Sequence, residues 1–244
     1  MRGRRRRGAT DVGSLVTHHL EAGEPTGWFE PLYAAAGRDP DAVPWADGGP
    51  HPYLKDWLDD PVATPPGRRA LVVGCGLGDD AAELHDRGFE VTAVDVAPSA
   101  VRWAERRHRR RDISWRVVDV LDAPAELVGA FDLVVEIRTV QSLPGVVRDA
   151  AMDAIARLVA PGGVLLVVTL VARDEATARA HVGPPWAQAP SELTVYTGPG
   201  LLRLALEHPD PDDAGLMEIR LTLQRPVDAP PEPIGGPDGL PLVP

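Results

Sequence analysis

Strand-like and helix-like segments alternate between Arg69 and Val171, and no other feature limits the fold of this 244-residue chain so strongly. Apolar runs of strand length lie at Ala70–Val73, Val91–Val94, Ser114–Val118, Phe131–Ile137 and Val164–Val171. Helix-like segments separate them at Asp79–Arg87, Pro98–Arg110 and Val146–Val159. Alternation with short connections predicts right-handed βαβ units on a parallel sheet. Because the runs are almost continuously apolar, we expect helices on both faces of that sheet.

Two further strand-like segments follow, at Leu201–Glu207 and Leu216–Gln224. The residues that join them are rich in Pro, Asp and Gly, so the two strands should pair antiparallel as a hairpin. This hairpin would add an antiparallel strand at the C-terminal end of the sheet. Residues 181–200 contain four Pro and three Gly, which predicts a loop over the sheet.

The two ends of the chain differ in composition from its centre. Residues 1–22 begin with a run of arginines, and we expect a disordered basic arm there. Residues 23–66 are rich in aromatic side chains and predict a lobe that is helical at 28–36 and 51–60. Residues 226–244 contain seven prolines, which predict an exposed tail. The folded domain is therefore expected to span residues 23–225.

Composition argues against several classes of protein. The net charge of −11 disfavours nucleic acid as a partner. The longest apolar run is far shorter than the ~20 residues of a membrane span, so we expect no membrane partner. The single Cys excludes a disulfide framework and a Cys-rich zinc site, and it is typical of a reducing, cytoplasmic location. His18, His19 and His181 form no ligand grouping with carboxylates, so no metal is predicted.

A glycine-rich turn carries the sharpest functional signal. Gly74, Cys75, Gly76 and Gly78 lie where the first predicted strand gives way to a helix. Glycines at such a point let a ligand approach the backbone and the helix N-terminus closely. Asp95 ends the next strand, where a carboxylate can accept hydrogen bonds from both hydroxyl groups of a ribose. Together they predict a nucleoside site at the carboxyl ends of the strands.

The residues beyond the turn narrow the choice of nucleoside. Asp79 and Asp80 begin the helix, where two carboxylates complement the helix dipole but repel a pyrophosphate. That pattern favours a phosphate-free ligand with a cationic end, such as S-adenosylmethionine (SAM), over a nicotinamide dinucleotide. Asp119 follows the third strand and is expected to accept from the adenine amino group, with Val120 beside the ring.

In order and spacing, these motifs and the Pro161-Gly162-Gly163 turn resemble class I SAM-dependent methyltransferases over residues 68–171. The resemblance implies a Rossmann-like α/β fold with a mostly parallel seven-stranded sheet, an antiparallel C-terminal strand and helices on both faces. It also implies SAM as the cofactor and a small-molecule substrate, in a protein that is a monomer or a homodimer.

Further segments resemble sequence motifs of the thiopurine S-methyltransferase-like branch of that class. They are Trp45, the Pro50-His51-Pro52 segment and the stretch from Gln141 to Arg148. That branch often has Asp-Arg-Gly-Ala after the fourth strand, where this chain has Glu136-Ile137-Arg138-Thr139. The resemblance implies a thiol or another soft nucleophile as the preferred methyl acceptor.

The motifs and the resemblance together assign roles to individual residues. Those expected to bind the cofactor are Gly74, Cys75, Gly76, Gly78, Asp95, Val96, Asp119, Val120, Glu136, Trp28 and Trp45. Those expected to face the substrate are Tyr33, Arg138 and Gln141. His51 is the candidate catalytic base, with helix capping as its alternative, and the aromatic residues have core packing as theirs. Cys75 is interpreted as a small filler of the turn, which argues against DNA cytosine methylation.

Three other functions stay open at this stage. One is a SAM-binding sensor or partner protein without turnover, and another is an O-methyltransferase of small natural products. The third, a nicotinamide-dependent oxidoreductase, is disfavoured by the two aspartates at the helix start.

Overall fold

The computed structural model of this chain describes residues 12–60, 65 and 67–228. The arginine run of the predicted arm lies outside the described residues, as does the predicted tail from residue 229 onward. Within the described ranges, no helix is long and apolar enough to cross a membrane.

A seven-stranded sheet runs through the described structure, with the strand order β3-β2-β1-β4-β5-β7-β6. Its strands are β1 (Arg69–Val73), β2 (Glu90–Asp95), β3 (Ile113–Val117), β4 (Phe131–Ile137), β5 (Val159–Ala172), β6 (Leu202–Glu207) and β7 (Leu216–Gln224). The first five strands pair in parallel, and β7 runs antiparallel to both of its neighbours. The predicted parallel sheet and its C-terminal hairpin are confirmed.

Helices surround the sheet and the lobe that precedes it. They are α1 (Val12–Glu21), α2 (Phe29–Ala36), α3 (Pro52–Asp59), α4 (Asp79–Asp86), α5 (Pro98–Arg107), α6 (Gly145–Arg157) and α7 (Glu175–Ala180). Short 3-10 turns occur at Pro40–Ala42, Val120–Asp122, Ala125–Leu127, Val140–Ser142 and Pro190–Thr197.

The core lies on both faces of the sheet because successive side chains of a strand point to opposite sides. Val134 of β4 packs in one cluster with Met152 of α6. Its neighbour Leu133 packs in a second cluster with Leu84 of α4. Helices therefore cover both faces, as the continuously apolar strands predict.

The strand order reverses beside β1, which places a ligand crevice there. The chain runs from β1 outward to β2 and β3 and then returns to β4 on the other side of β1. Val73, the last residue of β1, is in register with Val94 of β2 and with Glu136 of β4. Open α/β sheets bind their ligands at this kind of switch point, beyond the carboxyl ends of the strands.

Two segments differ from the sequence-based expectation. Residues 12–21 of the predicted disordered arm form α1, because Val12, Leu15, Val16 and Leu20 share one helix face that packs on the aromatic lobe. Residues 181–200 are not wholly a loop, since Pro190–Thr197 form a 3-10 turn.

Candidate functional site

The turn between β1 and α4 holds its glycines in backbone conformations that disfavour other residues. Gly74, Gly76 and Gly78 have φ values of 64°, 52° and 84°. Space is also short: a Cβ on Gly74 would lie 2.7 Å from Cγ2 of Thr139, and one on Gly78 would lie 2.6 Å from the ring of Trp115. The glycines are therefore required by the protein itself as well as by any ligand.

Asp95 at the end of β2 points toward this turn. Its Oδ2 accepts from the Gly76 N–H at 3.0 Å, and its Oδ1 accepts from the Ala97 N–H at 2.9 Å. Burial raises the pKa of Asp95 to about 6, although both hydrogen bonds favour the charged form. Each carboxylate oxygen keeps a second lone pair. Ionised Asp95 can therefore accept two further hydrogen bonds from a diol in the crevice.

Asp119 extends the same crevice beyond β3. Its Oδ1 accepts from the Leu121 N–H at 2.9 Å and so caps the 3-10 turn that begins at Val120. Its Oδ2 has no hydrogen-bond partner within the described residues. Val96, Val120 and Leu121 form apolar walls beside it, an arrangement that suits a flat base with an amino group.

One cleft joins these groups with the N-terminal lobe and opens to solvent at its mouth. The residues predicted from the sequence that line it are Tyr33, Trp45, His51, Gly74, Cys75, Gly76, Gly78, Asp95, Val96, Asp119, Val120 and Arg138.

Three aromatic rings of the N-terminal lobe form one wall of the cleft. The Trp45 ring meets the rings of Tyr33 and Phe29 edge to face, with centroids 5.8 Å and 6.1 Å away. The Trp45 Nε1–H donates to the Tyr33 hydroxyl oxygen at 2.8 Å. That oxygen lies 3.0 Å from where a Cβ of Gly76 would be. The missing side chain of Gly76 thus lets the aromatic wall approach the turn.

The prediction for Trp28 needs correction. Its side chain is fully buried and stacks on Phe29 at 3.9 Å between ring centroids, so it does not line the cleft. At the beginning of a helix, the side chains of adjacent residues project in directions about 100° apart, because a turn holds 3.6 residues. Phe29, which the sequence analysis passed over, therefore takes the cleft position instead.

Glu136 and Gln141 also lie away from the cleft. Glu136 is fully buried and accepts from the Thr139 N–H at 2.7 Å, the Val140 N–H at 3.0 Å and the Tyr196 hydroxyl at 3.2 Å. Burial raises its pKa to about 7 despite these bonds. The Gln141 Oε1 accepts from the Leu170 N–H at 2.6 Å. Both side chains fix the backbone behind the site and do not face a ligand.

His51 lines the cleft, but the lone pair of its neutral ring is engaged. Nδ1 accepts from the Tyr53 N–H at 3.2 Å and caps α3, so the ring proton belongs on Nε2. Nε2 lies 3.3 Å from Oε2 of Glu218 but makes no hydrogen bond to it. The neutral ring therefore has no spare lone pair with which to take a proton from an acceptor. The geometry supports the capping alternative rather than the catalytic base.

Glu218 of β7 is a site residue that the sequence analysis missed. It approaches His51 and accepts from Arg138 Nε at 2.6 Å. Burial raises the pKa of Glu218, but its interactions with His51 and Arg138 outweigh that effect and lower the pKa to about 2. No local pattern marks this residue, because it comes from a strand far along the chain.

Cys75 is buried inside the turn. Burial raises the pKa of its thiol well above the usual value, and the nearby Asp95 carboxylate raises it further. The neutral thiol is a poor nucleophile, in line with its interpretation as a filler. Among the described residues, no group of three or more His, Cys, Asp or Glu side chains could hold a metal ion.

The hydrogen-bond acceptors of the cleft fit an adenosyl ligand with a cationic end. Asp95 offers lone pairs for a ribose diol, Asp119 offers a free oxygen for an amino group, and Asp80 places a third carboxylate at the start of α4. The cleft contains no Lys, and Arg138 is its one Arg within the described residues, a poor match for a pyrophosphate. Fold and cleft together define the architecture of a class I SAM-dependent methyltransferase.

Comparison with known proteins agrees with this class. Residues 70–163 match a family model described as a methyltransferase domain. The ubiquinone biosynthesis O-methyltransferase of Xanthomonas campestris pv. campestris (strain B100) is 37% identical over 136 residues, which are 54% of this chain and 55% of that protein. The chain thus spans about half the length of the curated relatives it matches.

Solved structures extend the likeness beyond the matched segment. The N-methyltransferase NodS from Bradyrhizobium japonicum WM9, in complex with S-adenosylhomocysteine (SAH), is 25% identical with a TM-score of 0.60 and aligns with 80% of this chain and 98% of its own. A protein studied for the conversion of a disulfide bond into a thioacetal group during echinomycin biosynthesis shares the fold at 22% identity, with a TM-score of 0.65 over 84% of this chain and 93% of its own. Residues 70–163 therefore match a methyltransferase domain, and the described structure has the fold of class I SAM-dependent methyltransferases.

Proposed function

We propose that this protein transfers a methyl group from SAM to a small-molecule acceptor. The observation that supports this most strongly is the hydrogen bond from the Gly76 N–H to Asp95 inside the cleft. It fixes a carboxylate with spare lone pairs beside a glycine turn, where the ribose would bind. With a pKa of about 6, Asp95 is ionised at neutral pH.

The remaining cofactor contacts are assigned by charge and position. Asp119 would accept from the adenine amino group between Val96 and Val120. Asp80 lines the cleft at the start of α4, and burial raises its pKa to about 6. At neutral pH it is largely ionised and would complement the ammonium of the methionine end.

SAM held in this cleft would supply an electrophilic methyl group, to which the acceptor's lone pair would bond as the carbon–sulfur electron pair goes to sulfur, leaving SAH. For this step the chain supplies alignment rather than a covalent partner. Phe29, Tyr33 and Trp45 wall the cleft with aromatic surface, which would favour a sulfonium that lies over a ring face.

A thiol or other soft nucleophile is the finer proposal for the acceptor. His51 supports it, because the one lone pair of its neutral ring accepts from the Tyr53 N–H. A thiol ionises near pH ~8.5 and needs less help from a base than a hydroxyl group does. An oxygen acceptor is the second candidate, and the Xanthomonas relative named for O-methyl transfer favours it.

Two measurements test the proposal. Isothermal titration calorimetry should detect binding of SAH and no binding of NAD. Incubation with methyl-labelled SAM and a panel of thiols, thiopurines, metalloid anions, phenols and catechols should then give a labelled product, and the Asp95→Ala variant should give less of it at subsaturating SAM. Tight SAH binding with no turnover across the panel would favour the sensor or partner protein, and failure of SAH to bind would contradict the cofactor site.

A further inference from the structure

Arg138 follows β4 in a backbone conformation that is rare for a residue with a side chain. Its φ of 60° is the only positive value at a non-glycine residue within the described part of the chain. The Arg138 N–H donates to the Val168 carbonyl at 2.8 Å, and its own carbonyl accepts from Ser142 Oγ at 2.9 Å. Backbone strain of this kind concentrates at functional sites. Here it occurs in a residue that lines both the cofactor cleft and a second cavity at its mouth.

Two unequal carboxylates hold the Arg138 guanidinium. Glu218 accepts from Nε at 2.6 Å and from Nη2 at 3.2 Å, a forked contact with a side chain that is 30% exposed. Asp47 accepts from Nη1 alone at 2.7 Å, and its side chain is 56% exposed. A single ion pair in solvent contributes much less than a half-buried fork. The Asp47 contact is therefore the one that another anion can replace.

The segment that carries Asp47 has space in which to move the carboxylate away from Arg138. Gly48 has a φ of 79°, and a Cβ added to Gly48 or to Gly49 would meet nothing within 4 Å. Pro50, Pro52 and Tyr53 give the second cavity apolar walls. The other charged side chains lining that cavity within the described residues are the carboxylates of Asp47 and Glu218, so Arg138 is its one cation.

We infer that the methyl acceptor carries a carboxylate or an equally acidic group, which displaces Asp47 from Nη1 of Arg138. This inference rests on the proposed methyl transfer, because it names the acceptor of that reaction. The Asp47 carboxylate occupies the position that the acceptor's anionic group would take, and its contact shows that an anion fits at Nη1. Exchange of one carboxylate for another leaves the charge of the Arg138–Glu218 cluster unchanged, whereas an added anion would meet the repulsion of Asp47.

The test uses benzoate as an anionic probe and benzamide as a neutral probe of the same shape. Each is titrated by calorimetry into the full-length protein saturated with SAH. Asp47→Asn removes the competing charge and should tighten benzoate binding by about fivefold, the effect of losing a weak competing ion pair. Benzamide binding should not change.

Asp41→Asn is the matched control, because it removes the same charge from an exposed position of the same lobe without touching Arg138. It should leave the affinity for both probes as in the unchanged protein. Arg138→Lys, which keeps a charge but loses the fork, should weaken benzoate binding while SAH still binds, and intact SAH binding shows that the variant is folded.

The outcomes separate the two proposals. Equal benzoate affinity in Asp47→Asn and Asp41→Asn, an equal gain for benzamide, or no benzoate binding in Asp47→Asn would each overturn the anionic-acceptor inference. SAH binding in those same experiments would leave the methyltransferase proposal standing. Absence of SAH binding in the unchanged protein would instead contradict the proposed function itself.

Discussion

The side chain of Thr139 fills the space over Gly74. Its Oγ1 donates to the carbonyl oxygen of Val73 at 3.1 Å, and its Cγ2 lies 2.7 Å from the position of a Cβ on Gly74. The loop after β4 is thereby packed onto the glycine turn after β1. The turn's shape depends on this contact as much as on its own backbone.

Substitution of Gly74 should therefore lower the free energy of unfolding by more than backbone strain alone would. Gly88 offers a matched comparison, because its φ is 87° and a Cβ there would meet nothing within 4 Å. We expect Gly88→Ala to lower the free energy of unfolding by ~1–2 kcal/mol through left-handed strain. Gly74→Ala should lose a further ~1–3 kcal/mol from overpacking. Urea denaturation followed by tryptophan fluorescence measures both.

A double-mutant cycle separates the two contributions to the Gly74→Ala loss. Combining Gly74→Ala with Thr139→Ala removes the clashing hydroxyl and methyl groups and should recover much of the lost free energy of unfolding. Equal losses for Gly74→Ala and Gly88→Ala would show that Thr139 yields freely and that the contact is unimportant.

Asp95→Ala should weaken SAH binding by ~1–3 kcal/mol, the cost of losing a charged hydrogen-bond acceptor. Calorimetric titration measures the affinity, and circular dichroism establishes that the variant is folded. An unchanged dissociation constant would remove Asp95 from the ribose site.

Cofactor affinity should depend on pH in the weakly acidic range. Asp80 and Asp95 both have pKa values raised to about 6, chiefly by burial. A protonated carboxyl loses charge and acceptor capacity, so SAH binding should weaken as the pH falls from 7.5 to 5. At pH 6, binding should release protons, which titrations in buffers of different ionisation enthalpy detect. Proton uptake at this pH would contradict the assigned roles.

Glu136 should make the protein less stable as the pH rises. Burial raises its pKa from 4.5 to about 7, so its stabilising protonation is complete below pH 4.5 and is lost as the pH rises through 7. The loss between pH 5 and pH 8 is on the order of 2–3 kcal/mol. Glu136→Gln mimics the protonated form. Its free energy of unfolding, relative to that of the unchanged protein, should therefore be higher at pH 8 than at pH 5.

Urea denaturation at the two pH values measures this difference. Asp80 and Asp95 titrate in the same direction, so Glu136→Gln should flatten the pH profile of stability without abolishing it. Glu105→Gln, on the exposed face of α5, is the control and should leave the profile parallel to that of the unchanged protein. A Glu136→Gln profile that is also parallel would show that Glu136 does not titrate in this range.

The sequence by itself determined the sheet and the meeting of the glycine turn with Asp95. Continuous apolar runs require burial on both faces, and strand–helix alternation leaves a parallel sheet as the natural solution. The glycine turn and Asp95 are local features at strand ends, and parallel strand ends meet at one edge of the sheet. Their meeting therefore follows from the topology, without knowledge of side-chain packing.

Only the tertiary structure decided which residues form the mouth of the cleft. Phe29 rather than Trp28 faces the cleft because of a rotation of α2 that no pattern specifies. Glu218 reaches Arg138 across 80 positions of the chain through the pairing of β7 with β5. Glu136 lies one residue before the end of β4, at a position suited to a cofactor ligand, yet its side chain turns inward and accepts from the Thr139 and Val140 N–H groups. Such choices depend on long-range packing and hydrogen-bond satisfaction, which local sequence does not encode.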